Sequence, residues 1–172
     1  SEREAQHSVR VSKICEAIAT SMNLDRETIG RVKTAGLIHD IGKIGIDEGI
    51  LNKPAKLDEN EWIEIKKHPE IGWRILSASN EFFDLANLVL NHHERWDGKG
   101  YPRGLKGEDI PLACRILAVT DAYDAMTNDR CYRCSLSSKD AIGELESNAG
   151  TQFNPAIVKI YLQILQSGNH IH

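Results

Sequence analysis

Apolar residues recur at helical spacing along almost the whole chain, and no alternating β pattern competes with them. Val9, Val11, Ile14, Cys15 and Ile18 mark a first helix that also carries His7. Asp25 is a natural N-cap for a second, whose stripe of Ile29, Val32, Ala35, Gly36 and Ile38 runs into His39-Asp40 before Gly42 and Gly45 interrupt it. Asp58 and Glu61 have capping-box spacing, with Leu57 placed to staple against Trp62. His68-Pro69 restarts a helix with Ile71, Ile75 and Leu76 as its apolar face. The run Phe82, Phe83, Leu85, Ala86, Leu88, Val89 and Leu90 ends at His92-His93. Residues 94–111, rich in glycine and proline, form a long loop of the kind that usually serves a function. Pro111 opens a helix through Ile116, Leu117, Val119 and Ala122 to Met126, Ser137 caps another, and Asn154-Pro155 starts the last. The expected fold is an all-α bundle of about seven helices, in one domain over residues 1–172.

Composition narrows the function classes. A formal net charge of -4 supplies no basic field for nucleic acid, so an anionic substrate must be held by local cations. No run approaches the ~18 apolar residues of a membrane span, and the start has no apolar leader, so a cytoplasmic setting without a membrane anchor is expected. The absence of an initiator Met points to a piece of a longer protein. Cys15, Cys114, Cys131 and Cys134 lack the dense spacing of a secreted disulfide scaffold. Cys131-Tyr132-Arg133-Cys134 spells C-x-x-C, but without a second pair or a βαβ pattern it marks neither a redox nor a zinc site.

The chemistry-bearing residues are His7, His39, Asp40, His68, His92, His93 and Asp121, each near a helix end or on a helix's polar edge. Imidazole with carboxylate suits iron, manganese, zinc or nickel, whereas calcium would want mostly oxygen donors and structural zinc would want thiolates. Seven donors exceed one ion's needs. One carboxylate shared by two ions, with three further donors each, uses all seven and leaves room for water and a phosphate. Such a centre stays net positive toward a phosphodiester and can present a metal-bound hydroxide for attack on phosphorus. Lys43, Arg130 and Arg133 are the cations placed to help. Taken singly, these residues have plainer readings: His39-Asp40 as a salt-bridged dipeptide, His7 as a solvated helix histidine, Tyr101 as packing under the loop, Asp124 as a surface ion pair, and Lys66-Lys67 as a solvated face.

Together, His39-Asp40-Ile41-Gly42-Lys43, Lys67-His68-Pro69, His92-His93 through Gly100-Tyr101-Pro102, and Asp121 through Thr127 resemble the HD-GYP family over essentially the whole chain. The resemblance implies an HD-type helical fold and hydrolysis of the bacterial second messenger cyclic di-GMP to pGpG, with GMP open as a further product. It implies that Asp40 bridges two metals, His7, His39 and Asp121 completing one and His68, His92 and His93 the other, with iron first and manganese, zinc or nickel as alternatives. It matches Lys43, Tyr101, Asp124, Arg130 and Arg133 to substrate-side positions, Lys43 also to a catalytic one. Some members hold a third metal through a glutamate whose place here is Arg3, with Glu4 beside it, so two ions are expected. Asp129-Arg130-Cys131-Tyr132-Arg133 lacks the proline usual in the family but keeps both arginines. A receiver or sensor domain, a cyclase and a second copy of the chain are the candidate partners. The competing readings are a phosphohydrolase for another cyclic dinucleotide and a non-catalytic cyclic di-GMP sensor or docking module, although none of the seven donors is missing.

Overall fold

The computed structural model describes residues 2–129 and 134–168, and those residues are helical with connecting loops and no strand. In order, the helices are α1 (Glu2–Ser21), α2 (Arg26–Ile38), α3 (Glu48–Leu51), α4 (Glu59–Ile65), α5 (His68–Ser77), α6 (Phe83–Leu90), α7 (Leu112–Thr127), α8 (Ser138–Ser147) and α9 (Pro155–Gln166). All but α3 span about two turns or more. α3 is a single turn capped by Asp47 onto Gly49 N, too short to carry a readable apolar period, which is why about seven helices were expected. The polar signals stop and start the chain as read: Asp25 accepts from Thr28 N, Ser137 from Asp140 N and Asn154 from Ala156 N. Asp58 and Glu61 form the reciprocal capping box.

Val11, Ile14, Cys15 and Ile18 put one face of α1 into the main core, against Val32 and Ala35 of α2, Ile116, Leu117 and Val119 of α7, and Ile157, Val158 and Tyr161 of α9. Val9, expected on that stripe, is 44% exposed, because two residues from Val11 puts it on nearly the opposite side of the helix from the face that Val11 and Cys15 define. A smaller core of Leu76, Ala86 and Val89 joins α5 to α6, with Ile38, Ile41 and Trp73 packed against it. Phe82 and Phe83, expected to continue the α6 stripe, face solvent in part because a 3-10 turn over Asn80–Phe82 precedes the helix and rotates them off its buried side. Among the described residues no helix is long and apolar enough to cross a membrane. α6 contributes to both cores, Leu88 to the main one and Ala86 and Val89 to the smaller, and the 3-10 turn Ile41–Gly45, packed on α5, follows the polar centre of the molecule at His39-Asp40.

Candidate metal centre

Three helices end at one place. α2 stops at Ile38, α4 at Ile65 and α6 at Leu90, and each leaves carbonyls in its last turn without a helical partner. A histidine just beyond each end uses one of them: His39 Nδ1 donates to Gly36 O (2.8 Å), His68 Nδ1 to Ile65 O (2.6 Å) and His92 Nδ1 to Val89 O (2.6 Å). A carbonyl only accepts, so Nδ1 carries a proton in each ring and Nε2 is the atom turned to the centre, where a bound ion would take its lone pair. All three rings are buried. His68 Nε2 lies 3.2 Å from His92 Nε2 and 3.2 Å from His93 Nε2, distances at which facing lone pairs repel unless a cation sits between them. His39 Nε2 is buried with no hydrogen-bond partner. The negative ends of three helix dipoles converge on the same point, which further favours cations.

His7, inside α1, and Asp121, on α7, complete the set. His7 Nε2 is 3.2 Å from Asp121 Oδ1, and His39 Nε2 is 3.8 Å from that oxygen. The donors fall into two groups with geometry able to hold a metal ion: His7, His39 and Asp121, and Asp40 with His68, His92 and His93. Asp40 faces both. Its Oδ2 lies 3.4 Å from His39 Nε2 and 3.8 Å from His7 Nε2, while its Oδ1 lies 3.3 Å from His68 Nε2 and 3.9 Å from His92 Nε2. The buried lone pairs, the imidazole–carboxylate chemistry and the absence of thiolate in either group fit divalent first-row metals.

Charges around the centre are tightly coupled. Burial opposes ionisation of Asp40, yet His39 and Lys43 hold its carboxyl well below the usual range. Lys43 Nζ lies 2.7 Å from Asp40 Oδ2 and 3.2 Å from Glu4 Oε2, so Glu4 is engaged by this lysine and belongs to neither metal-binding group. Asp40 and Glu4 outweigh burial and keep the Lys43 ammonium protonated, which suits a fixed cation and not a base. Burial likewise opposes protonation of His7, but hydrogen bonds with Asp121 and Asp124 raise it to about 9. Burial lowers His93 to about 4.

These shifts set opposite slopes for chelator-stripped protein. His7 titrates above its unfolded value of 6.5, so its contribution is complete below about 6.5 and is lost as pH rises through about 9. His93 titrates below 6.5, so stability falls as pH drops from 6.5 toward 4. Urea midpoints of stripped protein are expected to peak near pH 6.5 and fall on both sides. Added metal should flatten the alkaline arm, because an ion replaces the His7 proton. A monotonic profile would contradict the assignment.

The loop over residues 94–111 reaches the centre through Tyr101, whose ring stacks on His93 (centroids 5.0 Å apart, planes at 18°). Tyr101 is partly exposed, and its peptide bond to Pro102 is cis. Gly100 lets the chain pass close to its own helix exit: a Cβ there would lie 2.4 Å from Arg95 N. Glu94, buried and overlooked in sequence, accepts from Arg103 N (2.7 Å) and Leu105 N (3.0 Å) and so pins the segment just past Tyr101. Glu94→Ala is expected to cost about 1–3 kcal/mol by orphaning those amides and to speed amide exchange at Arg103 and Leu105, with Glu94→Gln milder. Unchanged exchange would deny Glu94 this function. Lys66, expected on a solvated face, places Nζ 5.5 Å from the Tyr101 ring centroid, while Lys67 pairs with Glu64. Asp124, matched to a substrate-side position, is 3% exposed and bonds His7 and Arg10. Arg130, Cys131 and Arg133 lie outside the described residues.

Fold and centre together define a helical domain built around an imidazole–carboxylate cluster able to hold metal. A model of the HD domain family matches residues 1–157, and the chain belongs to that family. The cyclic di-GMP phosphodiesterase of Thermotoga maritima is 42% identical over 161 residues, covering 92% of this chain and 44% of that protein. The 3'3'-cGAMP-specific phosphodiesterase 2 of Vibrio cholerae is 38% identical over 159 residues, covering 91% of this chain and 30% of that protein. The chain thus spans less than half the length of these curated relatives. The structure of an HDG"Y"P protein from Bdellovibrio bacteriovorus shares the fold, with a TM-score of 0.76 at 20% identity, covering 94% of this chain and 52% of that one.

Proposed function

We propose that the protein is a metal-dependent phosphodiesterase that hydrolyses cyclic di-GMP to pGpG in the cytoplasm, using two ions, iron first, with manganese, zinc and nickel as alternatives. The observation that carries this reading is Asp40, whose two oxygens face the two donor groups separately. His7, His39 and Asp121 would hold one ion and His68, His92 and His93 the other. Ions held there would lower the pKa of bound water and neutralise charge on the phosphodiester. The chain's own part is positional and electrostatic. Helix-end carbonyls fix three imidazoles with Nε2 inward, Lys43 sets an ammonium beside Asp40, and Tyr101 offers a ring and hydroxyl at the edge of the His93 ligand. Arg130 and Arg133 are assigned as further phosphate cations from their place after α7.

A second reading, that the preferred substrate is another cyclic dinucleotide, draws support from the 38% identity to a cGAMP-specific enzyme. One experiment separates the readings. Protein prepared anaerobically is assayed for bound metal, then given cyclic di-GMP or 3'3'-cGAMP with iron or manganese, and the products are separated. The expected result is pGpG, formed faster than the cGAMP product. Faster cGAMP cleavage would reassign the substrate, and tight binding without any product would make the protein a sensor.

A further inference from the structure

His39, His68 and His92 each lie just beyond a helix end and find a free carbonyl for Nδ1. His7 has no such resource, because it sits inside α1, where backbone carbonyls are already bonded. Its Nδ1 partner is instead a side chain: Asp124 Oδ2, at 2.6 Å. Asp121 and Asp124 are three residues apart on α7, on one face, and they grip opposite edges of this single ring, Asp121 Oδ1 at Nε2 (3.2 Å) and Asp124 at Nδ1. Asp124 is itself immobilised. Arg10, one turn after His7 on α1, donates through Nε (2.7 Å) and Nη2 (3.0 Å), and Asn128 Nδ2 donates at 3.1 Å. With both oxygens taken and 3% of the side chain exposed, Asp124 is a fixed charge aimed at His7 and is not poised to turn toward a metal or a substrate. Arg10 is 35% exposed, so water screens its charge, while the Asp124–His7 bond is buried.

We propose that Asp124 is a positioning residue that acts through His7 to make the two metal subsites unequal, so that His7, His39 and Asp121 take up an ion before His68, His92 and His93 do. A carboxylate on the far nitrogen makes an imidazole a stronger donor than a carbonyl does. The first subsite also holds Asp121. The second holds no carboxylate beyond the shared Asp40, and its His93 ring is stacked on Tyr101. The inference rests on the reading of this centre as a two-ion site.

Titration of metal-free protein with cobalt(II), followed by visible absorption and calorimetry, tests it. Wild-type protein is expected to show two classes of site that differ by about tenfold or more in affinity. Asp124→Asn should weaken the tight class about 10–100-fold and leave the other unchanged, the range typical for loss of a ligand's hydrogen-bond partner. Arg10→Gln, which leaves the His7–Asp124 bond in place, should shift the tight class much less. His93→Ala should abolish the weak class and spare the tight one, and His7→Ala should do the reverse, so the order of filling is decided even if Asp124→Asn fails to fold. Equal classes in the wild type, or an unchanged tight class in Asp124→Asn, would overturn the proposal. So would intact cobalt binding with weakened cyclic di-GMP binding in Asp124→Asn, which would make the residue a substrate contact. Wild-type protein that binds no cobalt would instead bring down the two-ion reading itself.

Discussion

An Asp40→Ala variant is expected to lose both ions and to lose turnover by about 10²–10³-fold or more, the scale seen when a group stabilising transition-state charge is removed. The double loss follows from geometry. Each Asp40 oxygen addresses a different donor group, at 3.4 Å from His39 Nε2 on one side and 3.3 Å from His68 Nε2 on the other, so its loss takes a donor from both at once. The substitution also releases Lys43, whose ammonium sits 2.7 Å from the lost carboxylate. Asp40→Asn keeps the shape and removes the charge, so it should retain the fold with strongly reduced metal content. Metal analysis, circular dichroism and product chromatography on the three proteins check this. An Asp40→Ala protein that still carries two ions and cleaves substrate would rule out the shared carboxylate.

The largest structural effect of a single added methyl is expected at Gly42. A Cβ there would lie 1.8 Å from His68 O, 2.6 Å from Gly72 N and 2.8 Å from His68 C, all backbone atoms that cannot rotate away. Gly42→Ala must therefore push the turn that carries Asp40 off the helix that begins with His68. The expected cost is at least the ~1–3 kcal/mol of an overpacked core, a fall in Tm of about 2–12 °C for a chain of this size. Metal affinity should fall further than stability does, because the displaced contact separates Asp40 from the His68 group. Gly30→Ala is the matched control: it adds the same methyl in α2 with nothing within 4 Å, and should stabilise by about 0.5–1 kcal/mol. If Gly42→Ala melts with the wild type and binds metal normally, the packing of the Asp40 turn on α5 is softer than its contacts indicate.

Features governed by neighbours in sequence were legible beforehand. Asp25, the Asp58–Glu61 box, Ser137 and Asn154-Pro155 act within four residues of themselves, and the α1 stripe needs only helical periodicity. The seven donors could be collected because imidazole and carboxylate at helix ends are a short list, and the structure brings all seven into adjacent groups. What stayed hidden depends on how elements cross. Asp124 reads as surface or substrate-side until α7 is laid against α1, when it faces His7 and Arg10; the spacing of Arg10 three residues after His7 was the only local hint. Glu94 looks like one more charge in a polar loop, because its amide partners come nine and eleven residues later. Lys66 and Lys67 are adjacent and alike in sequence, but the turn between α4 and α5 sends them apart, one toward Tyr101 and one toward Glu64.

The convergence of α2, α4 and α6 on one point gives bound metal a mechanical role. Each of these helices stops where its last carbonyls hold a candidate ligand's imidazole, so one ion held through His39 and another held through His68 and His92 would together fasten three helix ends that would otherwise fray. Ions that bind only the folded chain stabilise it by mass action, about 2.7 kcal/mol at one hundred times the dissociation constant. On the proposed reading, metal supply would set the lifetime of this domain as well as its chemistry, and starvation for the ion would remove the protein and silence the site by the same event.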